Sequence, residues 1–239
     1  MLIAAALPAR SVQAAGPVRW YASVEEASLA ARELNKPLMV DFWADWCVPC
    51  RVMEEEVYSS DQFVQAAQSF VAVRIDFDRK PAVSRKYNVS ALPTILFTDS
   101  YGDELFRSLG ALTRDTFAAL LVSLPHDMTE FNRLNRILAR DKNNLDALEG
   151  MGEHLRTAGL FRRSNEYYAR SLRQKQVKAN SAKREAILTE MGANYLEVKE
   201  GKLAASLFER CLKEFPSSSR RQEWTAKLIQ ARTLVTTKD

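Results

Sequence analysis

Hydrophobic positions along the chain follow two different rhythms. Up to about residue 124, short apolar runs are separated by amphipathic stretches. Leu38-Met39-Val40 followed by Phe42-Trp43 predicts a buried central strand, interrupted by a single acid, Asp41. Phe70–Asp76 and Thr94–Phe97 predict two further strands. Glu104–Leu109 predicts a fourth, reached through the hairpin turn Ser100-Tyr101-Gly102-Asp103. Between them lie helical patterns. One opens at Ser23, with Glu26 completing a capping box, runs to about Leu34 and is stopped by Asn35-Lys36-Pro37. Others cover Arg51–Glu56, Asp61–Gln68 and Pro81–Tyr87, and the last runs from the Thr113 cap to Val122. The order helix, strand, helix, strand, helix, strand, strand, helix suits an α/β fold, a central mixed sheet with helices on both faces.

After Ser123–Asp127 the strand signals stop. Thr129–Leu234 is helix-period throughout, interrupted at Asp141–Asn144, Gly159, Gly201 and Phe215–Ser218. The expected layout is therefore an α/β domain over 16–124 and an all-α domain over 125–239, with 1–15 set apart. The helical part repeats itself. Leu148, Met151, Gly152, Leu155, Ser164, Tyr168, Ser171 and Leu172 recur 40 positions later as Leu188, Met191, Gly192, Tyr195, Ala204, Phe208, Cys211 and Leu212. This spacing of small and aromatic residues, with Pro216 at the end, resembles the tetratricopeptide pattern, although the period is longer than usual. The resemblance implies stacked helix pairs with a groove for a protein or peptide partner.

Charge adds little direct information about partners. The net charge of +4 does not by itself argue for nucleic acid, and no apolar run is long enough for a spanning helix. The distribution is uneven: residues 1–124 hold 12 Lys+Arg against 15 Asp+Glu, and the remainder 22 against 15. Met1–Leu7, Pro8 and the small residues of Val12–Ala15 resemble the later part of a secretory signal, without its basic n-region. They imply export to a periplasm-like compartment, with a cytoplasmic location as the alternative.

Two of the three cysteines carry the chemistry. Cys47-Val48-Pro49-Cys50 joins the end of a predicted strand to the start of a predicted helix. Free backbone N–H groups and the helix dipole there favour an anion, which lowers the thiol pKa of Cys47 from its usual ~8.5. Cys50 is one turn on and can close a small disulfide ring with it. Such a pair exchanges disulfides: Cys47 attacks and Cys50 resolves the mixed disulfide. Asp41, buried and therefore of raised pKa, can take the proton of Cys50. A structural disulfide and half a zinc site are the plainer readings, and the chain has no second C-x-x-C or Cys-His pair to complete a metal site. Cys211 falls on a small-residue core position and is expected to be an inert buried thiol.

The run Val40-Asp41-Phe42-Trp43-Ala44-Asp45-Trp46-Cys47-Val48-Pro49-Cys50-Arg51 resembles the thioredoxin active-site motif D-F-W-A-x-W-C-G-P-C-K, with Val48 in place of glycine and Arg51 in place of lysine. Asp78, Pro81, Lys86-Tyr87, Leu92-Pro93-Thr94 and Gly110-Ala111-Leu112 continue the likeness, which covers about Lys36–Leu124. The flanking Lys36-Pro37-Leu38 and Met53–Tyr58 also resemble the thioredoxin-like domains of bacterial envelope thiol:disulfide interchange proteins. The resemblance implies a thioredoxin fold and a cis peptide before Pro93. It implies a substrate site shaped by Leu92 and Pro93 and covered by Trp46, and a pairing of Arg74 with Asp41. Val48 and Pro49 tune the pair. The redox-active disulfide itself is the working group, with no separate cofactor or metal, and the partners implied are protein thiols and disulfides. A second function class stays open, a helical-repeat scaffold or chaperone-like adaptor in which the redox pair is a switch or a vestige.

Overall fold

The structure is a computed structural model and describes residues 18–236; the signal-like stretch at 1–15 lies outside them. The chain divides into two compact units. Among the described residues the first holds 18–31, Pro37–Phe97 and Phe106–His126, and the second holds Arg32–Lys36, Thr98–Leu105 and 127–236.

The α/β fold is built on a five-stranded sheet. In chain order the elements are β1 (Trp20–Tyr21), α1 (Val24–Leu34), β2 (Leu38–Trp43), α2 (Val48–Met53), α3 (Asp61–Ala66), β3 (Val71–Asp76), α4 (Pro81–Lys86), β4 (Thr94–Thr98), β5 (Glu104–Leu109) and α5 (Arg114–Ser123). The sheet order is β1-β3-β2-β4-β5, which puts β2 in the middle. β1 and β2 both run parallel to β3.

The period-two alternation of β2 sorts its side chains between two cores. Leu38, Val40 and Phe42 pack with Val24, Ala27 and Ala31 of α1 and with Val71, Val73 and Ile75 of β3. Met39 points to the opposite face, into an aromatic core of Phe63, Phe70, Phe97 and Phe117 closed by Met53, Val57 and Tyr58. Asp41 shares the parity of Met39, and Arg74 lies directly across from it in the β2–β3 register.

Three local expectations need correction. The strand β1 was not expected: two residues carry no readable period, and the strand exists because Trp20 and Tyr21 pair with Ala72 and Val73. Ser23 caps the Glu26 N–H at 3.4 Å, but its hydroxyl meets Glu25 at 2.8 Å rather than Glu26. The helix of the second cysteine does not run on as an α-helix through Glu56. It continues as a π-helical turn over Glu54–Tyr58.

The second unit contains α6 (Thr129–Arg140), α7 (Leu145–Thr157), α8 (Phe161–Leu172), the short α9 (Lys175–Ala179), α10 (Ser181–Glu197), α11 (Gly201–Glu214) and α12 (Arg221–Thr236). The 40-residue spacing has a geometric counterpart. A Cβ on Gly152 would meet the Tyr168 ring at 2.6 Å, and one on Gly192 would meet the Phe208 ring at 2.7 Å. In each pair, the absent side chain lets one helix lie against the aromatic ring of the next. The interruption expected at Gly201 falls just before it, on 198–200 between α10 and α11. Gly201 begins α11, pressed so tightly against α12 that a Cβ would come within 2.5 Å of the Ala231 carbonyl oxygen. The positive φ of that turn falls on Lys199 instead. A buried polar knot joins successive helix pairs: Asn194 donates to Asn165 Oδ1 at 2.8 Å and to Ser164 Oγ at 3.0 Å, and Ser164 donates to the Gly152 carbonyl at 2.7 Å. Cys211 is fully buried, and desolvation pushes its thiol pKa up to about 11.

Candidate active site

β2 ends at Trp43, and a short loop carries the chain to Cys47, which is the N-cap of α2 in an extended conformation. Val48 and Pro49 form the first helical turn. Proline is at ease there, because the N–H it lacks would have no partner inside the helix. The turn brings Cys47 and Cys50 to a Cα separation of 5.3 Å, and the two are joined as a disulfide. The Cys50 N–H donates to Cys47 Sγ at 3.2 Å, so a helix-terminal amide already points at the sulfur that would carry charge after reduction.

Both cysteines are only 3% exposed, packed with Ala44 and with Trp43, Phe77 and Leu92. Their rim is open: Trp46 is 62% and Val48 59% exposed. The Trp46 indole is fixed by donating Nε1–H to Asp78 at 2.8 Å. The Leu92–Pro93 peptide is cis, and the Pro93 carbonyl accepts from Gly110 N at 2.9 Å. Each residue singled out around the cysteine pair thus lies on the loop before α2, on the first turn of α2, or on the loop before β4.

Asp41 is 2% exposed. Desolvation drives its pKa from 3.8 up to about 6, against the opposing pull of Arg74. Arg74 Nε donates to Asp41 Oδ2 at 3.2 Å. The same guanidinium pairs with Glu54 and lies over the Trp43 ring, 4.6 Å from its centroid. The Tyr58 hydroxyl is buried beside Asp41 without a hydrogen bond of full geometry. Burial and the neighbouring carboxylate hold the Tyr58 pKa well above the ordinary phenol value.

Glu54 and Tyr58 were not singled out from the sequence, nor was Asp78 as the partner of Trp46. Glu54-Glu55-Glu56 reads as a solvated acidic run, and nothing in it says which acid turns inward. The π-helical turn decides that, setting Glu54 on Arg74 and Tyr58 over Asp41. Among the described residues no group of three or more His, Cys, Asp or Glu is placed to hold a metal ion.

A family model described as thioredoxin-like matches residues 19–100. Thioredoxin H2 of Arabidopsis thaliana is 34% identical over 105 residues, which are 44% of this chain and 72% of that protein. The thiol:disulfide interchange protein DsbD of Yersinia pestis (strain Pestoides F) is 35% identical over 82 residues, 33% of this chain. The chain spans only 14% of the length of that relative. The solved structure of a thioredoxin from Thermus thermophilus aligns with 45% of this chain and 86% of its own, at 26% identity and a TM-score of 0.41. The chain belongs to the thioredoxin-like family.

Proposed function

We propose that the protein is a thiol:disulfide oxidoreductase acting on protein substrates. In the reducing direction, the Cys47 thiolate attacks a substrate disulfide, forming a mixed disulfide and releasing one substrate sulfur as thiolate. Cys50 then attacks Cys47 Sγ, expels the second substrate sulfur and leaves the Cys47–Cys50 disulfide, so two electrons pass to the substrate. Asp41 takes the proton of Cys50 as it becomes a nucleophile, which a carboxyl of pKa about 6 can do near neutral pH. The oxidising direction is the reverse sequence. Trp46, Leu92 and Pro93 form the surface on which substrate lies, and Arg74, Val48 and Pro49 set the properties of the pair. The observation that carries this reading is the Cys47–Cys50 disulfide at a helix N-terminus with a buried acid among the supporting residues.

In this reading 16–124 is the redox domain and 125–239 a tetratricopeptide-like domain that docks a protein or peptide partner. The matching Gly152–Tyr168 and Gly192–Phe208 contacts support the repeat. Export is supported by the signal-like composition of Met1–Ala15. No helix of the described residues is long and apolar enough to cross a membrane.

The test is turnover of insulin disulfides by the full chain with dithiothreitol as donor. Cys47→Ser abolishes turnover, and Cys50→Ser accumulates a mixed disulfide visible on a non-reducing gel. Turnover that survives in Cys47→Ser sinks the assignment of the nucleophile.

A further inference from the structure

One cleft in the first unit belongs neither to the cysteine pair nor to its rim. It has a volume of about 350 Å³ and is lined by Trp20, Tyr21, Trp43, Arg74, Arg79 and Lys80, with Asp76 at its edge. Tyr21, Trp43 and Asp76 are the last residues of β1, β2 and β3, three strands that all run in one direction. The cleft therefore lies at the carboxyl ends of parallel strands, where open α/β sheets bind small ligands. Its size is at the lower end of the ~300–1,000 Å³ usual for such sites.

The composition of the wall selects a ligand class. Three aromatic rings offer flat apolar faces. Cations already stack on all three: Arg74 lies over Trp43 and Trp20, at 4.6 and 5.7 Å, and Arg19 lies over Tyr21 at 4.5 Å. A planar ring can extend such a stack on the guanidinium or the indole. Three cations line the cleft: Arg74 is shared with Asp41 and Glu54, Arg79 pairs with Asp76, and Lys80 has no carboxylate partner among the described residues. Asp76 accepts backbone N–H groups from Asp78 and Arg79 at 3.0 and 2.9 Å and pairs with Arg79 at 3.2 Å. The uncompensated charge of the cleft is thus the cation of Lys80, on a stretch, residues 1–124, whose formal charge is negative.

We infer that this cleft is a second binding site, for a small planar aromatic anion such as an aryl carboxylate or aryl phosphate. Two of its walls connect it to the redox pair. Trp43 packs against the Cys47–Cys50 cluster, and Arg74 holds Asp41. An anion drawing on Arg74 weakens the hold on Asp41 and favours its protonated form. This coupling rests on the role proposed for Asp41, whereas binding does not.

The experiment titrates the oxidised full chain with benzoate and with phenyl phosphate while following the four tryptophan indole N–H signals by NMR, assigned with single Trp→Phe variants. A one-ring ligand is expected to bind with a Kd of order 1 mM. The Trp20 and Trp43 signals shift saturably with both probes, and those of Trp46 and Trp224 do not. Benzyl alcohol, a ring without charge, and inorganic phosphate, a charge without a ring, leave all four in place. The paired change Arg79→Ser and Lys80→Ser weakens both titrations several-fold. Failure of Trp20 and Trp43 to saturate with either aromatic anion, or equal shifts with benzyl alcohol, overturns the site. Where binding is present, benzoate raises the pH midpoint of disulfide-exchange turnover. An unmoved midpoint overturns the coupling, and loss of any pH midpoint in unliganded protein tells against Asp41 itself.

Discussion

Replacing Asp41 with Asn should stabilise the sheet of the first unit, and by an amount that depends on pH. The carboxyl has a pKa of about 6 in the fold and an ordinary value of 3.8 outside it. Below pH ~4 it is neutral in both states and burial costs little. Between pH ~4 and ~6 the unfolded chain releases a proton that the native state keeps, so stability falls as pH rises. Above pH ~6 the penalty is constant. The gap of about 2.2 pH units corresponds to ~3 kcal/mol at ~1.36 kcal/mol per unit, or roughly 150-fold in the opening equilibrium. Asparagine keeps the shape and removes the charge. Arg74 is not orphaned by the change, because Glu54 and the Trp43 ring still hold it.

The assay is hydrogen exchange read by mass spectrometry on peptides covering β2 and β3, comparing the oxidised wild type and Asp41→Asn at pH 4 and pH 7.5. These peptides cover two paired strands of the first unit and report local opening there. The variant should be more protected at pH 7.5 by about two orders of magnitude and within about 1 kcal/mol of wild type at pH 4. Equal gains at both pH values would mean that the benefit comes from packing and not from charge. A loss of protection at pH 7.5 would mean that the Arg74 pair outweighs desolvation, and the raised pKa would then be wrong in sign.

Glu54→Gln removes a negative charge near Asp41 and leaves Arg74 to Asp41 alone, so the Asp41 pKa falls and the pH window of the same exchange measurement moves down. An unmoved window would show that Glu54 does not compete for Arg74 in solution. Gly192→Ala places a Cβ within 2.9 Å of two Phe208 ring carbons, and overpacking of this kind costs about 1–3 kcal/mol. The exchange of α10 and α11 peptides should quicken while β2 stays unchanged. Gly152→Ala should act in the same way on α7 and α8 through the Tyr168 ring. Alkylation of Cys211 by iodoacetamide should require denaturant, since the thiol is fully buried and its pKa is about 11. Modification of the native protein at neutral pH would show that α10–α12 open readily.

Much of the site was legible because its elements rest on local patterns. The strand of Leu38–Trp43, the helix after Cys47 and the acid on the Met39 parity all follow from spacing within a few residues. What escaped depended on contacts distant in the chain. Trp20-Tyr21 becomes a strand only because Ala72-Val73 lies beside it. Glu54 was indistinguishable from Glu55 and Glu56 until the π-helical turn gave it a direction. Gly201 looked like a turn residue, but it is a packing residue set by α12, and the turn's positive φ falls on Lys199. The 40-residue recurrence was visible as a pattern, yet the reason for its glycines, an aromatic ring from the following helix, is tertiary.

The energetics of Asp41 bear on the functional reading beyond the geometry. A neutral residue of the same shape would serve the core better by about 3 kcal/mol at neutral pH, a large part of the ~5–15 kcal/mol that holds a typical domain folded. The ion pair with Arg74 does not recover that cost, because the pKa stays raised with Arg74 in place. Arg74 needs no partner in Asp41 either, since Glu54 takes its other side. A structural role therefore accounts for neither member of the pair. The proton transfer proposed for Asp41 would account for both: a buried carboxyl has a pKa near neutrality, and the guanidinium keeps that value from rising past the range in which a carboxylate can accept a proton. On this basis Arg74→Met should raise the Asp41 pKa above about 6 and move the pH midpoint of turnover upward with it. Asp41→Asn should remove that midpoint altogether while stabilising the fold. Separation of the two effects, stability up and turnover down at one position, is what a functional acid predicts and a structural one does not.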